Sequence, residues 1–276
     1  VGFFICGKFE AGAFSYLCFM QHPIQTVSII GAGNVATHLA QALADQGCKI
    51  LSVTSKNGTS AQQLAAVLGA EMITDISQIP TVDLVLVCVN DDEIAGTIQQ
   101  IPAEYAVAYT SGSVELSSIG SRENCGVFYP LQTFSKNRQL DLFEVPFFIE
   151  ANDTDFAQQL FDLAWKISRK VYFATSETRK QLHVGAVLVN NFTNHLAYLA
   201  SEHFAQHALD FAHLQPLLQE TVAKLTNTNP FDAQTGPARR NDQQTIDAHL
   251  ALLQGMAKQI YTDISKSIQQ TYTPET

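Results

Sequence analysis

Apolar and polar positions follow two rhythms along this chain. Up to about residue 175, short apolar runs alternate with stretches of helical periodicity. Val27-Ser28-Ile29-Ile30 is the first run, followed by Gly31-Ala32-Gly33 and a helical pattern reaching Ala44. Cys48 to Thr54 reads as a second strand, Thr59 to Leu68 as a helix capped by Thr59 or Ser60, and Glu71 to Ile73 as a short strand. Leu84 to Val89 is a continuous apolar run, the pattern of a parallel strand buried on both faces. Further strands are expected over Tyr105 to Tyr109, over Gly126 to Phe134 running into a turn, over Val145 to Glu150 and over Lys170 to Phe173. A helix is expected over Phe156 to Ile167. Strand and helix in alternation predict an α/β domain with a doubly wound sheet.

From Ser176 the rhythm is almost purely helical. Thr178 to about His207 reads as one helix of ~30 residues, roughly 45 Å long. Phe211 to Leu225 is a second helix, and 226–240 a loop marked by Asn229-Pro230 and Gly236-Pro237. Asn241 or Asp242 caps a third helix reaching about Thr271, with a break near Gly255. The expected division is therefore an α/β domain over 20–175 and an all-helical domain over 176–276. Residues 1–19 are apolar but lack a basic leader, and Glu10 interrupts them before the ~20 apolar residues of a membrane span are reached. Met20 is a natural first residue, so 1–19 are expected to be an extension foreign to the native protein.

Composition narrows the class. The chain has 276 residues, 46% of them hydrophobic, which suits one large or two medium domains with a substantial core. Its formal charge of -10 argues against general nucleic-acid binding. The five cysteines are odd in number and form no C-x-x-C pair, so a disulfide framework or a metal site is not expected and a reducing cytoplasm fits.

The strand, glycine turn and helix around Gly31 carry the clearest chemistry. They match G-x-G-x-x-A, with Ala36 in the third position. This is the Rossmann arrangement that holds a dinucleotide pyrophosphate against free helix N–H groups. Gly31, Gly33, Asn34 and Val35 are the expected contacts. The second strand ends in Ser55-Lys56-Asn57, where an NAD enzyme usually carries a carboxylate for the ribose hydroxyls. Hydroxyl, ammonium and amide groups instead favour a 2′-phosphate, so NADP is the expected cofactor, with Ser55 and Lys56 as contacts. A solvated loop lysine is the plainer alternative for Lys56. Asn90, Ser111 and Gly112 lie at later strand ends, on the edge where such sheets bind ligands.

The long helix carries a polar stripe. At ~100° per residue, His183, Asn190 and Asn194 fall within about 40° of one another, with Asn191 further round. Leu188, Phe192, Leu196 and Leu199 lie opposite. The stripe either faces substrate or is satisfied structurally or by solvent. His183 is a candidate proton donor or acceptor, Asn191 and Lys224 further catalytic candidates, and Gln132, Asn190, Arg239 and Arg240 substrate contacts. Glu220 and Lys224 are equally well read as a surface ion pair.

Several segments together resemble a known bacterial family: GAGNVATHLA, TSGSV, GVFYPLQTFS, LHVGAVLVNNFTNHL, ETVAKL and QTGPARRND. That family is described as a Rossmann-like NADP oxidoreductase domain followed by a helical domain of unknown function, and the resemblance covers about residues 24–270. More distantly the chain is similar to the β-hydroxyacid dehydrogenase, pyrroline-carboxylate reductase, prephenate dehydrogenase and deazaflavin-dependent NADP reductase group. The resemblance implies nicotinamide chemistry and a homodimer formed through the helical domain. It supplies no substrate. β-Hydroxyacid dehydrogenases place a catalytic lysine on the first long helix of the second domain. Here that helix offers His183, Asn190 and Asn191, and its only lysine is Lys180 at the entrance. The expected activity is NADP-dependent oxidation or reduction of a small anionic carbonyl, imine or hydroxyl compound in a cleft between the domains. A non-catalytic NADP-binding sensor or partner protein is the alternative.

Overall fold

The computed structural model describes residues 23–272; the expected extension over 1–19 lies outside them. Among the described residues the strands are β1 (Thr26–Ile30), β2 (Lys49–Thr54), β3 (Glu71–Met72), β4 (Leu84–Val87), β5 (Val107–Tyr109), β6 (Cys125–Pro130), β7 (Phe147–Ala151) and β8 (Val171–Phe173). They form one sheet in the order β3-β2-β1-β4-β5-β6-β7-β8. All neighbours are parallel except β6 and β7. Sequential order reverses between β1 and β4. There the carboxyl ends of adjacent strands diverge into connections on opposite faces, the usual ligand position of such sheets.

The apolar runs explain the two-sided burial. Val27, Ile29, Leu84, Leu86, Ala108 and Phe128 face one core, and Ile30, Val85, Val87, Val107, Tyr109 and Val127 the other. On the first face, α1 (Asn34–Asp45) buries Ala36, Leu39, Ala40 and Leu43, at the i, i+3, i+4, i+7 spacing of one helical face. α2 (Gly58–Leu68) joins it, and α4 (Thr154–Ile167) adds Phe156, Leu160, Leu163, Ala164 and Ile167. α3 (Asp91–Gln100) covers the second face with Ile94 and Ile98.

Two compact units divide between Ala186 and Val187. The first therefore includes α5 (Ser176–Ala186). The second starts with a π-helical segment, Val187–Phe192, and continues as α6 (Thr193–Gln206), α7 (Gln215–Asn227), α8 (Pro230–Ala233), α9 (Gln243–Leu252) and α10 (Gly255–Tyr272). The single helix expected over Thr178 to His207 is thus three pieces. A π segment bonds i to i+5, so it shifts the angular phase of everything beyond it. Asn190 and Asn191 lie inside it, and the ~100° bookkeeping linking them to His183 does not carry through. The loop expected over 226–240 contains the short α8, started by Pro230 and capped by the Asn229 carboxamide, which accepts the Phe231 N–H. The break near Gly255 is present, and Gly255 holds φ +55° there.

Candidate functional site

Gly31 leaves β1 with φ +113°, and a Cβ on it would stand 2.1 Å from the Cys88 carbonyl oxygen. Any side chain would clash with backbone, so this turn requires glycine. Gly33 has open space where its Cβ would be, and it caps α1 with no side-chain hydrogen bond. α1 carries no acidic residue in its first turn. Its leading N–H groups are therefore open to an anion, with exposed Asn34 and half-buried Val35 beside them. The starts of α2 and α3 differ. The Asn57 carboxamide occupies the start of α2 by accepting the Ser60 N–H, and Asp91, Asp92 and Glu93 surround the start of α3. The residues present at α1 fit a pyrophosphate; those at α3 would repel one.

Beside this turn, Ser55 Oγ accepts the Asn57 N–H. Lys56 is paired with Glu93 at 2.5 Å, the lysine exposed and the glutamate half-buried. Lys56 remains accessible to a phosphate, which would have to share it with Glu93. Asn90 is the residue before α3 and makes no capping bond with its side chain. The neighbouring Asp91 accepts a short hydrogen bond from Ser113 Oγ.

The β5 end is the most heavily organised part of this edge. Buried Ser111 accepts the N–H groups of Ser113 and Val114 through its hydroxyl. Gly112 follows, and a Cβ there would stand 2.6 Å from the Tyr129 ring and 3.0 Å from His183 Nδ1. Tyr129, near the end of β6, and His183, near the end of α5, are within hydrogen-bond distance of each other, with Tyr129 Oη 3.2 Å from His183 Nδ1. Their rings meet edge-on, with centroids 6.3 Å apart. Burial pushes the Tyr129 phenol up from its ordinary value; Arg179 draws it back and Asp91 adds to the rise. The hydroxyl therefore keeps its proton throughout the neutral range.

One turn before His183, Arg179 is completely buried. Its Nε and Nη2 donate to the Glu150 carboxylate at 2.9 and 2.7 Å. Nη1 donates to the Ser111 carbonyl at 2.8 Å and Nη2 to the Val114 carbonyl at 2.9 Å. Ser176 Oγ also donates to Glu150. One guanidinium thus ties α5 to β7 and to the loop carrying Gly112, with a fork geometry that lysine lacks. Tyr129, Arg179 and Glu150 all escaped the sequence reading. A lone carboxylate in the apolar run Phe147-Phe148-Ile149-Glu150 and an arginine four residues before the candidate histidine were the available signals.

The remaining candidates have simpler surroundings. The exposed Gln132 accepts the N–H of Thr133. Asn190 and Asn191 lie exposed in the π segment of the second unit, 3.5 Å from each other. Lys224 Nζ donates to the Ala233 carbonyl, not to Glu220. The Arg239 guanidinium stacks over Tyr272 at 4.3 Å and donates to the Phe231 carbonyl, while Arg240 is exposed. The second unit also holds an apolar cavity of about 500 Å³ between Leu196, Leu199, Leu252, Ile260 and Ile264. Among the described residues no His, Cys, Asp and Glu groups converge as metal ligands, and no helix is long and apolar enough to cross a membrane.

A glycine turn feeding an uncapped helix at the switch point of a doubly wound sheet defines the class as dinucleotide-binding. Residues 26–108 match the family described as NADP oxidoreductase, coenzyme F420-dependent, and residues 145–268 match a domain of unknown function, DUF2520. A Bacteroides fragilis protein provisionally described as an NADP oxidoreductase is 38% identical, with 90% of this chain and 98% of that chain covered and a TM-score of 0.83. A Thermotoga maritima protein is 20% identical, covered over 89% and 98% with a TM-score of 0.68. An Aspergillus terreus reductive aminase, solved with NADPH and ethyl levulinate, is 12% identical, covered over 90% and 94% with a TM-score of 0.66. A search of curated proteins gave no match. The chain belongs to the family of NADP oxidoreductases that join a Rossmann domain to this C-terminal domain. Its cofactor is NADP, as the absence of a carboxylate from the Ser55-Lys56-Asn57 tip leads one to expect.

Proposed function

We propose that this protein oxidises or reduces a small anionic carbonyl, imine or hydroxyl compound, with His183 exchanging the proton. The observation that carries the reading is His183 packed against Gly112 and Tyr129, at the carboxyl edge of β5 and β6. When bound, NADP supplies the two-electron donor or acceptor. The chain does the rest. Gly31, Gly33, Asn34 and Val35 hold the pyrophosphate, and Ser55 and Lys56 take the 2′-phosphate. Asn90, Ser111 and Gly112 line the edge for the nicotinamide. His183 holds or releases a proton at its ring nitrogen. Asn191 and Lys224 remain the further catalytic candidates, and Gln132, Asn190, Arg239 and Arg240 the candidate substrate contacts, the arginines suited to a carboxylate.

We further assign a homodimer formed through the helical half. Its apolar side chains support this: Val189, Phe192, Leu217, Val222, Leu252 and Met256 are all more than half exposed. Exposed apolar side chains in this number support an association site.

The test is a screen of NADPH oxidation with 2-keto acids, 3-keto acids and cyclic imine acids. The names of two fold neighbours, a reductive aminase and an imine reductase, make the imines and carbonyls the first choices. His183→Ala is expected to lose at least ~100-fold in turnover while keeping its NADPH affinity, the ordinary scale of general acid–base catalysis. Unchanged turnover removes His183 from the mechanism. Tight NADPH binding with no turnover on any compound favours a sensor.

A further inference from the structure

The tyrosine beside His183 has a consequence for which nitrogen of the imidazole carries its proton. We propose that Tyr129 is a positioning residue that fixes neutral His183 as the Nε2–H tautomer, leaving that N–H as the donor to the substrate's carbonyl oxygen or imine nitrogen. The inference rests on the proton-transfer role proposed for His183: as the Nε2 proton passes to the substrate the Tyr129 hydroxyl proton moves to Nδ1, so the ring stays neutral, the phenolate left behind regains its proton from solvent, and oxidation runs the same shifts in reverse.

Three observations lead to it. Tyr129 Oη lies 3.2 Å from His183 Nδ1, its hydrogen-bond partner among the described residues. Tyr129 is 7% exposed, so a hydroxyl proton without an acceptor would be costly. If Nδ1 carried the proton and donated to the phenol oxygen, the phenol's own hydrogen would lack that acceptor. With the phenol donating, both groups are satisfied and Nε2 must carry the imidazole proton. Which ring nitrogen is protonated is set by the bond the other one makes.

The surroundings hold this arrangement in place. A Cβ at position 112 would stand 2.8 Å from Tyr129 Oη and 3.0 Å from His183 Nδ1, so glycine lets the loop close over the pair. Tyr129 is set by β6 and packs its ring near Phe148. α5 is fixed one turn below His183 by the four hydrogen bonds that Arg179 makes to Glu150, Ser111 and Val114. Histidine and tyrosine thus meet from two separately anchored elements. That rigidity is what a tautomer-selecting contact needs.

The test is spectroscopic and needs no substrate. The full-length protein is labelled with ¹⁵N-histidine, and long-range proton–nitrogen correlations are recorded at neutral pH. The His183 signals are assigned by their loss in His183→Gln. The wild type is expected to show one neutral tautomer at His183, protonated on Nε2. Tyr129→Phe keeps the ring and removes the hydroxyl; its His183 is expected to show a mixture of tautomers or a rise in the Nδ1–H form. NADPH titration of the same variant, read by cofactor fluorescence, reports whether the turn at Gly31 is intact. An Nδ1–H tautomer in the wild type overturns the proposal whatever the variant does. So does an unchanged Nε2–H pattern in a Tyr129→Phe protein that still binds NADPH. A failure of the oxidoreductase reading is seen separately, as absent turnover with the tautomer as expected.

Discussion

The sheet unit and the helical unit of this chain satisfy their apolar residues in different ways. Among the described residues, the buried hydrophobic side chains belong to the sheet unit, save Ala238 and Ile246. The helical unit instead exposes Leu188, Val189, Phe192, Leu217, Val222, Leu252 and Met256. Burying one such side chain is worth ~1.5–3 kcal/mol, so each gains from being covered. The sheet unit holds nearly all of the buried apolar side chains, and the proposed homodimer would cover those that the helical unit exposes. Single changes should therefore act locally and independently of concentration in the first, and through assembly in the second.

The largest expected effect lies in the sheet unit. Arg179→Met leaves the Glu150 carboxylate with only Ser176 beside it and strips the Ser111 and Val114 carbonyls of a donor. Breaking a buried ion pair from one side costs ~3–5 kcal/mol. Urea unfolding should show that loss equally at low and high protein concentration, and adding Glu150→Gln should recover part of it. A cost below ~1 kcal/mol would contradict the anchoring role given to this guanidinium.

Next comes the helical unit. Sedimentation of the wild type is expected to give a dimer at micromolar concentration. Phe192→Asp should weaken it by more than tenfold, a change of about 1.4 kcal/mol, while NADPH affinity stays near that of the wild type. A monomeric wild type, or a variant of unchanged mass, breaks the contrast between the two units.

The smallest effect is set by pH. Burial raises the Cys125 thiol to about 11 and lifts the phenols of Tyr109 and Tyr129 above their ordinary value. At pH below their ordinary values these groups are neutral in both states and contribute nothing to pH dependence. Above about pH 9–10 the unfolded chain sheds their protons first, so stability falls as pH rises. Urea midpoints measured in reductant from about pH 8 to about pH 11 should decline steadily. A flat profile would mean these groups are better solvated than their burial implies.

Much of the sheet unit was legible because its signals are local. Leu84 to Val87 is an apolar run bounded by turns, and Gly31-Ala32-Gly33 is a turn whose glycines have separate physical jobs. The helical unit was legible as helix but not in its detail. A π segment has no residue signature, since Val187 to Phe192 has the same apolar content either way; only the bonding changes, and with it the phase that related Asn190 to His183. The antiparallel β7 was hidden because pairing direction is not written in a single strand. The site was read by halves. His183 stood out as a polar residue among apolar helix positions. Tyr129 reads as one more aromatic in a buried strand, and the Arg179–Glu150 pair joins two elements 29 positions apart. Nothing local announces either contact.

The proposed oxidoreductase chemistry depends on one event, the binding of NADP, for which the uncapped start of α1 and the Ser55-Lys56 tip are the proposed contacts. Fluorescence titration of the wild type with NADPH and NADH tests it most directly. NADPH is expected to bind at least about tenfold more tightly, ~1.4 kcal/mol, from charge-assisted bonds to its 2′-phosphate. Equal affinity for the two, a preference for NADH, or no binding of either would contradict it.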